Sequence, residues 1–364
     1  MTHVKEEPLK PVAETKIPSF SIVYETENLS SVELDNIYRS LASLVAQDLS
    51  PEQANEFLII DGGDAPAEVI EQICLMYPWI TVQRAAGISY YEAKMMGASL
   101  ATGEIIVFCD SDCIYESNWL RNILTPFLQL DIDVVAGETS TPVRNPYELA
   151  IAMHYFFPRF SCREHPYESK NYFLNDVAFR RNFLLQNPIP TNLPLYRGNC
   201  YVHAHYLCNI KGYKIWKHPQ ARATHEPPTI SFSFWRYLLR GRDRVLREQI
   251  KLGLTKTSDV ADYSKLSAAL DLTHYQRIRS IASTIWWVRP FNWERISAVL
   301  REKPHRLIFF PMVVPIILWL ELLYNIGSAV TYFQPDWLLK RYREAEGKII
   351  EATSLKSSEF SPTK

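Results

Sequence analysis

Five short β-rich runs separated by segments of helical spacing occupy roughly the first 140 residues, and no other feature limits the fold as much. The runs are FSIVY (20–24), FLII (57–60), WITVQ (79–83), IIVFC (105–109) and IDVVAG (132–137). Ser30 and Glu33 frame a capping box, and Val32, Ile37, Leu41, Leu44 and Val45 recur at helical spacing behind it. Gly62 and Gly63 turn the chain after the second run, and Pro66 suits the first turn of a helix. Ser89 and Glu92 cap a further helix reaching Leu100, and another helix follows Ser117. Alternation of this kind predicts an α/β domain whose open, mostly parallel sheet is flanked by helices on both faces. Sheets of that class bind ligands beyond the carboxyl ends of their strands, which is where Glu25, Asp61 and Asp110 fall.

The fourth run passes from five apolar residues directly into Asp110, Ser111 and Asp112. An uninterrupted apolar run fits a strand covered on both faces, so these carboxylates face a crevice more naturally than bulk solvent. Two carboxylates there suit a divalent cation or ribose hydroxyls; a polar cap on the loop is the other reading.

With 364 residues, 47% of them hydrophobic, the chain is long enough for one large domain with an appendage or for two domains. A formal net charge of −1 provides no field to gather nucleic acid, and none is expected as a partner. The six cysteines lie apart with no CxxC pair, which suits buried thiols in a reducing compartment rather than a metal cluster. Residues 1–18 are charged and proline-bearing without an apolar signal core, and read as a disordered lead-in to a cytosolic chain. From about residue 138 the alternation stops and proline and aromatic residues increase, the mark of a substrate-shaping half.

The segments FSIVYETEN, FLIIDGG, YYEAKMMGASLATGEIIVFCDSDC, NDVAFRRNFL and GYKIWKHPQARATHEPP, in that order, resemble the family 2 glycosyltransferases over roughly residues 19–245. The resemblance implies a Rossmann-like GT-A fold and transfer of a sugar from a nucleotide-diphosphate donor with Mg²⁺ or Mn²⁺. It divides residues 19–250 into a nucleotide-binding half (19–137) and an acceptor half (138–250). It further implies that Glu25 and Asp61 sit near the nucleobase, that Lys94 approaches the donor, and that Asp110 meets the ribose with Ser111 beside it. Asp112 would bind the metal, with His225 as a further ligand to metal or diphosphate; a capped loop histidine is the plainer reading of His225. The other histidines named by position (154, 165, 203, 205 and 218) have no spacing that singles them out.

One family feature is absent. Members usually carry a Glu-Asp pair that supplies the base for the acceptor hydroxyl, whereas the corresponding stretch here, Arg197-Gly198-Asn199-Cys200, has no carboxylate. An inverting transfer to a hydroxyl needs a base within hydrogen-bond reach. Asp176 and Glu226 are the acidic substitutes, and an acceptor that is already anionic is a further way out. A catalytically silent member that binds nucleotide sugar or glycan is the rival function. A nucleotidyltransferase would want a glycine-rich basic loop after the first strand, which YETENLSS does not supply.

Arginines 236, 240, 242, 244 and 247 could grip a diphosphate or face anionic lipid. Basic linker helices are expected over 251–306 and a polar tail over 334–364. The apolar segment 307–333 between them would make about 40 Å of helix against a bilayer core of about 30 Å. Glu321 and Asn325 interrupt it. It is read as membrane-associated, spanning or only inserting, on the cytoplasmic face, with a helical hairpin packed on the domain as the alternative. Donor sugar, nucleotide and acceptor, whether glycan, cell-envelope or lipid-linked, are not specified by sequence.

Overall fold

The structure is a computed structural model and describes residues 17–27, 35–129, 131–154, 159–254 and 303–345, together with 297 and 301. The expected capping box at Ser30 and Glu33, most of the lead-in and linker, and the end of the tail lie outside the described residues. Strands β1 (Phe20–Glu25), β2 (Phe57–Asp61), β3 (Ile80–Arg84) and β4 (Ile105–Asp110) form the parallel half in the order β3-β2-β1-β4. Every residue of β1, β2 and β4 is buried, as uninterrupted apolar runs require, while β3 lies at the edge and exposes Thr81 and Gln83. Helices α1 (Asp35–Val45), α2 (Ala67–Met76) and α3 (Tyr90–Leu100) connect them. α3 begins at the expected capping box, where Glu92 accepts from the Ser89 backbone N–H. Gly97 lets α3 lie directly on β1, since a Cβ there would come within 2.3 Å of Val23.

The second half departs from a parallel sheet. After the short β5 (Cys113–Tyr115) and α4 (Trp119–Leu124), the fifth expected run forms β6 (Val134–Ser140), which is not the neighbour of β4. Helix α5 (Pro146–His154) and β7 (Tyr167–Ser169) follow, and then β8 (Asp176–Arg180) enters between β4 and β6, antiparallel to both. The α4 crossover leaves a one-strand gap, and DVAFR fills it from the opposite direction. Helices α6 (Arg181–Gln186) and α7 (Asn199–His205) lead to β9 (Ile215–His225), which pairs parallel with β6 and antiparallel with β5. The outcome is a mixed sheet in a GT-A-like arrangement.

The basic stretch becomes α8 (Ile230–Leu254) and the apolar segment α9 (Phe310–Phe333). These helices cross at Gly241 and Gly327: a Cβ on either would stand 2.0 Å from a backbone oxygen of the other helix. Ser328 Oγ donates to the Gly241 carbonyl at 3.0 Å, tying the crossing. Ile151 of α5, Leu239 of α8 and Leu320 of α9 share one buried cluster. Glu321, which the sequence placed inside an apolar segment, turns inward and meets His154 Nε2 at 2.6 Å.

A methyl group at Gly327 cannot be absorbed by a flexible side chain, because it meets backbone. Gly327→Ala should cost about 1–3 kcal/mol in a denaturation experiment. The exposed neighbour Ala329→Ser should be near neutral; equal stability of the two variants would show that α9 does not pack on α8.

Candidate active site

The site begins with a problem of burial. Asp110 ends a fully buried strand and is itself 2% exposed. Helix α3 solves it with two residues one turn apart, since positions i and i+4 share a helix face. Lys94 Nζ pairs with Asp110 Oδ1 at 2.5 Å, and Tyr90 Oη donates to Asp110 Oδ2 at 2.8 Å. Lys94 is wholly buried and also donates to the Cys109 carbonyl. Lys94, expected to approach the donor, lies beneath Asp110 and neutralises it. The Asp110 N–H donates to Tyr115 Oη, which donates on to the Asn175 carbonyl, so the Asp-Ser-Asp turn is held from both sides.

Asp112 lies just beyond this anchor and meets His225, at the end of β9, with 3.1 Å between Oδ2 and Nε2. The strands make this meeting, because Cys113 and His225 are register partners across β5 and β9. His225 Nδ1 lies 2.7 Å from the Glu226 carbonyl, so Nδ1–H donates there, and in the imidazolium form Nε2–H donates to the Asp112 carboxylate. Burial disfavours the imidazolium, but the charge and hydrogen bond of Asp112 outweigh it and raise His225 above the ordinary imidazole range. Burial likewise opposes ionisation of Asp112, and His225 overcomes this and lowers its carboxyl.

Among the described residues, Asp112, Cys113 and His225 form a cluster compact enough for a metal ion. Burial, followed by the charges of Asp112 and Asp110, pushes the Cys113 thiol well up, so the carboxylate and the imidazole are the fitting ligands for a hard cation. Ser111 Oγ is buried without a hydrogen-bond partner among the described residues, as a group waiting for a ligand or water would be.

Glu25 and Asp61 stand at the ends of β1 and β2, and Glu25 is the register partner of Asp110. Burial and then the nearby Asp110 push the Glu25 carboxyl well up. Asp61 accepts from Thr26 Oγ1 and from the Gly63 N–H. The structure thus gathers Glu25, Asp61, Asp110, Ser111, Asp112 and His225 along one end of the sheet.

It does not bring Asp176 or Glu226 to that crevice as an available base. Asp176 is 1% exposed, with Oδ1 accepting from Trp119 Nε1–H at 2.7 Å and Oδ2 from Thr139 at 3.2 Å. Burial pushes its carboxyl up to about 7, partly countered by those donors and Lys217. Glu226 is bonded to Arg39 and Arg144, and contributes to the site through its backbone, which also donates to the Asp112 carbonyl. Both residues pin the sheet and its loops.

A cleft of about 370 Å³ opens beside His225 and Asp110. Sequence reasoning had not singled out Tyr90 or Asn175 on its wall. The spacing of Tyr90 and Lys94 on α3 was the available signal for Tyr90; Asn175 had none. Arg197 also lines the cleft, its guanidinium 4.2 Å from the centre of the Tyr90 ring. Of the α8 arginines, 236, 240 and 247 line the cleft, whereas Arg242 is fully buried against Asp243 and the Pro335 carbonyl.

The family model for glycosyl transferase family 2 matches residues 31–198. Glycosyltransferase AglE of Haloferax volcanii is 25% identical over 128 residues, which make 33% of this chain and 39% of that relative. The match therefore spans well under half of the relative's length. Among solved structures, the mannosyltransferase PcManGT from Pyrobaculum calidifontis, in complex with GDP-Man and Mn²⁺, superposes with a TM-score of 0.52 at 14% identity, covering 90% of this chain and 91% of that one. GalNAc-T7 with UDP, GalNAc and Mn²⁺ gives a TM-score of 0.50 at 14% identity over 76% of this chain and 58% of that one. At these identities the likeness is one of fold.

The Asp176 environment sets a pH test. Its folded pKa of about 7 lies above an unfolded value of about 3.9, so between those values the native state binds the extra proton and stability falls as pH rises. Asp176→Asn removes that contribution. Its stability relative to the unsubstituted protein should rise from pH 5 to pH 8 in urea titrations. A difference independent of pH would reject the buried carboxyl.

Proposed function

We propose that this chain, which matches the family 2 glycosyltransferase model over residues 31–198 and shares the GT-A fold, is a glycosyltransferase that moves a sugar from a nucleoside-diphosphate donor to an acceptor presented at a membrane. The observation that carries the reading is the Asp112–His225 pair, oriented by the Glu226 carbonyl and bordering a cleft lined with arginines. The GDP-Man and Mn²⁺ bound by PcManGT, and the UDP, GalNAc and Mn²⁺ bound by GalNAc-T7, support the same classes of ligand here.

A divalent cation, Mg²⁺ or Mn²⁺, held by Asp112 and His225 would offset the charge that grows on the diphosphate as the sugar bond breaks. The protein's own contributions are those of position. Asp110, neutralised by Lys94 and oriented by Tyr90, accepts from the ribose, with Ser111 beside it. Glu25 and Asp61 stand on the nucleobase side. Attack from the face opposite the departing diphosphate would invert the anomeric centre.

Binding of a nucleotide-sugar panel to the purified protein, with and without Mn²⁺, tests this reading. Asp112→Asn should weaken metal-dependent donor binding by about tenfold or more while the melting temperature stays close to that of the parent. Donor affinity that is the same with and without metal in both proteins would defeat the assignment, and donor binding without transfer would favour the silent alternative.

The membrane part of the proposal is supported by α9. The helix over Pro304–Phe333 is long and apolar enough to cross a bilayer. It is instead half engaged: Val313, Ile317, Leu320 and Leu323 pack inward, while Met312, Leu318, Leu322, Ile326 and Phe333 are exposed. The exposed set recurs every four to seven residues on the outer face, and the basic residues Lys303 and Arg343 flank the helix. This arrangement favours α9 lying in the headgroup region of the cytoplasmic face, its inner side on the enzyme and its outer side in lipid. The full chain should then sediment with vesicles containing anionic lipid. Leu318→Ser combined with Leu322→Ser and Ile326→Ser should abolish sedimentation without loss of stability; undiminished sedimentation of that triple variant would refute the placement.

A further inference from the structure

Glu226 follows the last residue of β9, and its two peptide groups reach both candidate metal ligands. Its N–H donates to the Asp112 carbonyl at 3.0 Å. Its own carbonyl accepts from His225 Nδ1–H at 2.7 Å. Pro227 and Pro228 come next, so Glu226 is confined to extended backbone and the two residues beyond it offer no N–H with which to tie the segment down. The placement of the two ligands therefore depends on what fixes Glu226 from outside its own strand.

The Glu226 side chain supplies the fixing. One carboxylate oxygen accepts from Arg144 at 2.5 Å and the other from Arg39 at 3.3 Å. Each arginine is itself seated by a helix. Arg39 lies on α1 and donates to Asn36 Oδ1 at 3.1 Å, one turn back. Arg144 stands just before α5, where its backbone N–H and its Nε donate to the Glu148 carboxylate at 2.6 and 3.0 Å. Glu148 is buried, and α5 packs through Leu149 and Met153 against Val313 and Ile317 of α9, so the seat of Arg144 is rigid. Tyr147, in the first turn of the same helix, donates to the Pro228 carbonyl at 2.6 Å. Helix α5 thus grips the chain on both sides of Pro227. The arginine side chains are 54% and 52% exposed, so shortening either one opens no cavity in the core.

We infer that Arg144, assisted by Arg39, is a positioning residue of the metal centre, acting through Glu226 to hold Asp112 and His225 in the arrangement that receives a divalent cation. The inference rests on the metal-assisted glycosyltransferase reading above and names the residues that aim its ligands. The route is continuous. The guanidinium fork of Arg144 fixes the Glu226 carboxylate, the carboxylate fixes the peptide groups on either side of the same Cα, and those groups orient one ligand each. Partners of this kind, which touch a ligand rather than the ion, commonly change metal affinity 10- to 100-fold when removed. Arg144 carries more of the effect than Arg39, because its contact is shorter and its own seat has two further bonds to Glu148.

The test uses the full chain and has two readouts. The first is Mn²⁺ affinity, from the free-ion electron paramagnetic resonance signal, measured with the metal alone and with saturating GDP or UDP. Arg144→Ala should weaken Mn²⁺ binding by about tenfold while the melting temperature stays close to that of the parent. Arg144→Lys, which keeps the charge and loses the fork, should fall between the two. Arg121→Gln removes a comparable ion pair, with Asp48 at 2.9 Å, and should leave Mn²⁺ affinity unchanged. Arg144→Ala combined with Glu226→Ala should bind Mn²⁺ no more weakly than Glu226→Ala alone, since the two residues act as one unit. The second readout needs no metal: in protein labelled at histidine nitrogen, the His225 Nδ1–H should exchange with solvent about tenfold faster in Arg144→Ala. Unchanged Mn²⁺ affinity and unchanged exchange in that variant would overturn the inference. So would losses that multiply in the double variant, which place Arg144 on the ligand directly, or an equal loss in Arg121→Gln, which marks a general effect on the fold. If Arg144→Ala does not fold, Arg39→Ala takes the same measurements, with an expected loss of about threefold and the same overturning results. Mn²⁺ that binds the unsubstituted protein under neither condition would remove the metal reading, and the His225 exchange rate then decides the positioning role separately.

Discussion

A carboxylate at the end of a strand buried on both faces can persist only if something offsets its charge, and the pairing of Lys94 with Asp110 meets that condition. The two groups are bound into one unit, because removing one partner of such a pair commonly costs about 3–5 kcal/mol. The unit fixes α3 against the end of β4. From there the chain has one residue, Ser111, in which to reach Asp112, and β5 then pairs with β9 so that His225 arrives opposite. The geometry of the candidate metal ligands therefore follows from how a single buried charge is satisfied.

Helix α8 is the second element on which function depends, because it serves two surfaces. Its successive residues turn by about 100°, so Arg236, Arg240 and Arg247 border the cleft while Leu238 and Gly241 meet α9. Between them Arg242 is buried and satisfies both Asp243 and the Pro335 carbonyl. The helix is thus a common wall between a cationic cleft and an apolar outer helix.

Much of this was readable before any coordinates. The strand runs of the parallel half, the capping box at Ser89, and the acidic residues at strand ends all appear in the structure where periodicity and capping chemistry put them. The antiparallel insertion of β8 was not readable, because DVAFR is a short run whose neighbours are chosen by a gap between β4 and β6 that exists only once α4 has crossed over. The partners of the two candidate bases were not readable for a related reason. Asp176 is near the site in the chain's motif order, yet its side chain turns to Trp119 and Thr139, and sequence does not show which side of a strand faces the crevice when both are buried. Glu226 is next to His225, but two arginines from distant parts of the chain, Arg39 and Arg144, claim its carboxylate.

By itself the sequence determined the α/β class, the crevice at the ends of the parallel strands and the Asp-Ser-Asp turn, because period and local hydrogen bonding settle these within a few residues. Tertiary structure alone decided that Lys94 neutralises Asp110, that three arginines of α8 face the cleft while a fourth is buried, and that α9 is covered on one side only. Each of those depends on which distant surface a side chain meets. Burial and charge pairing are properties of that meeting, and the order of residues does not contain them.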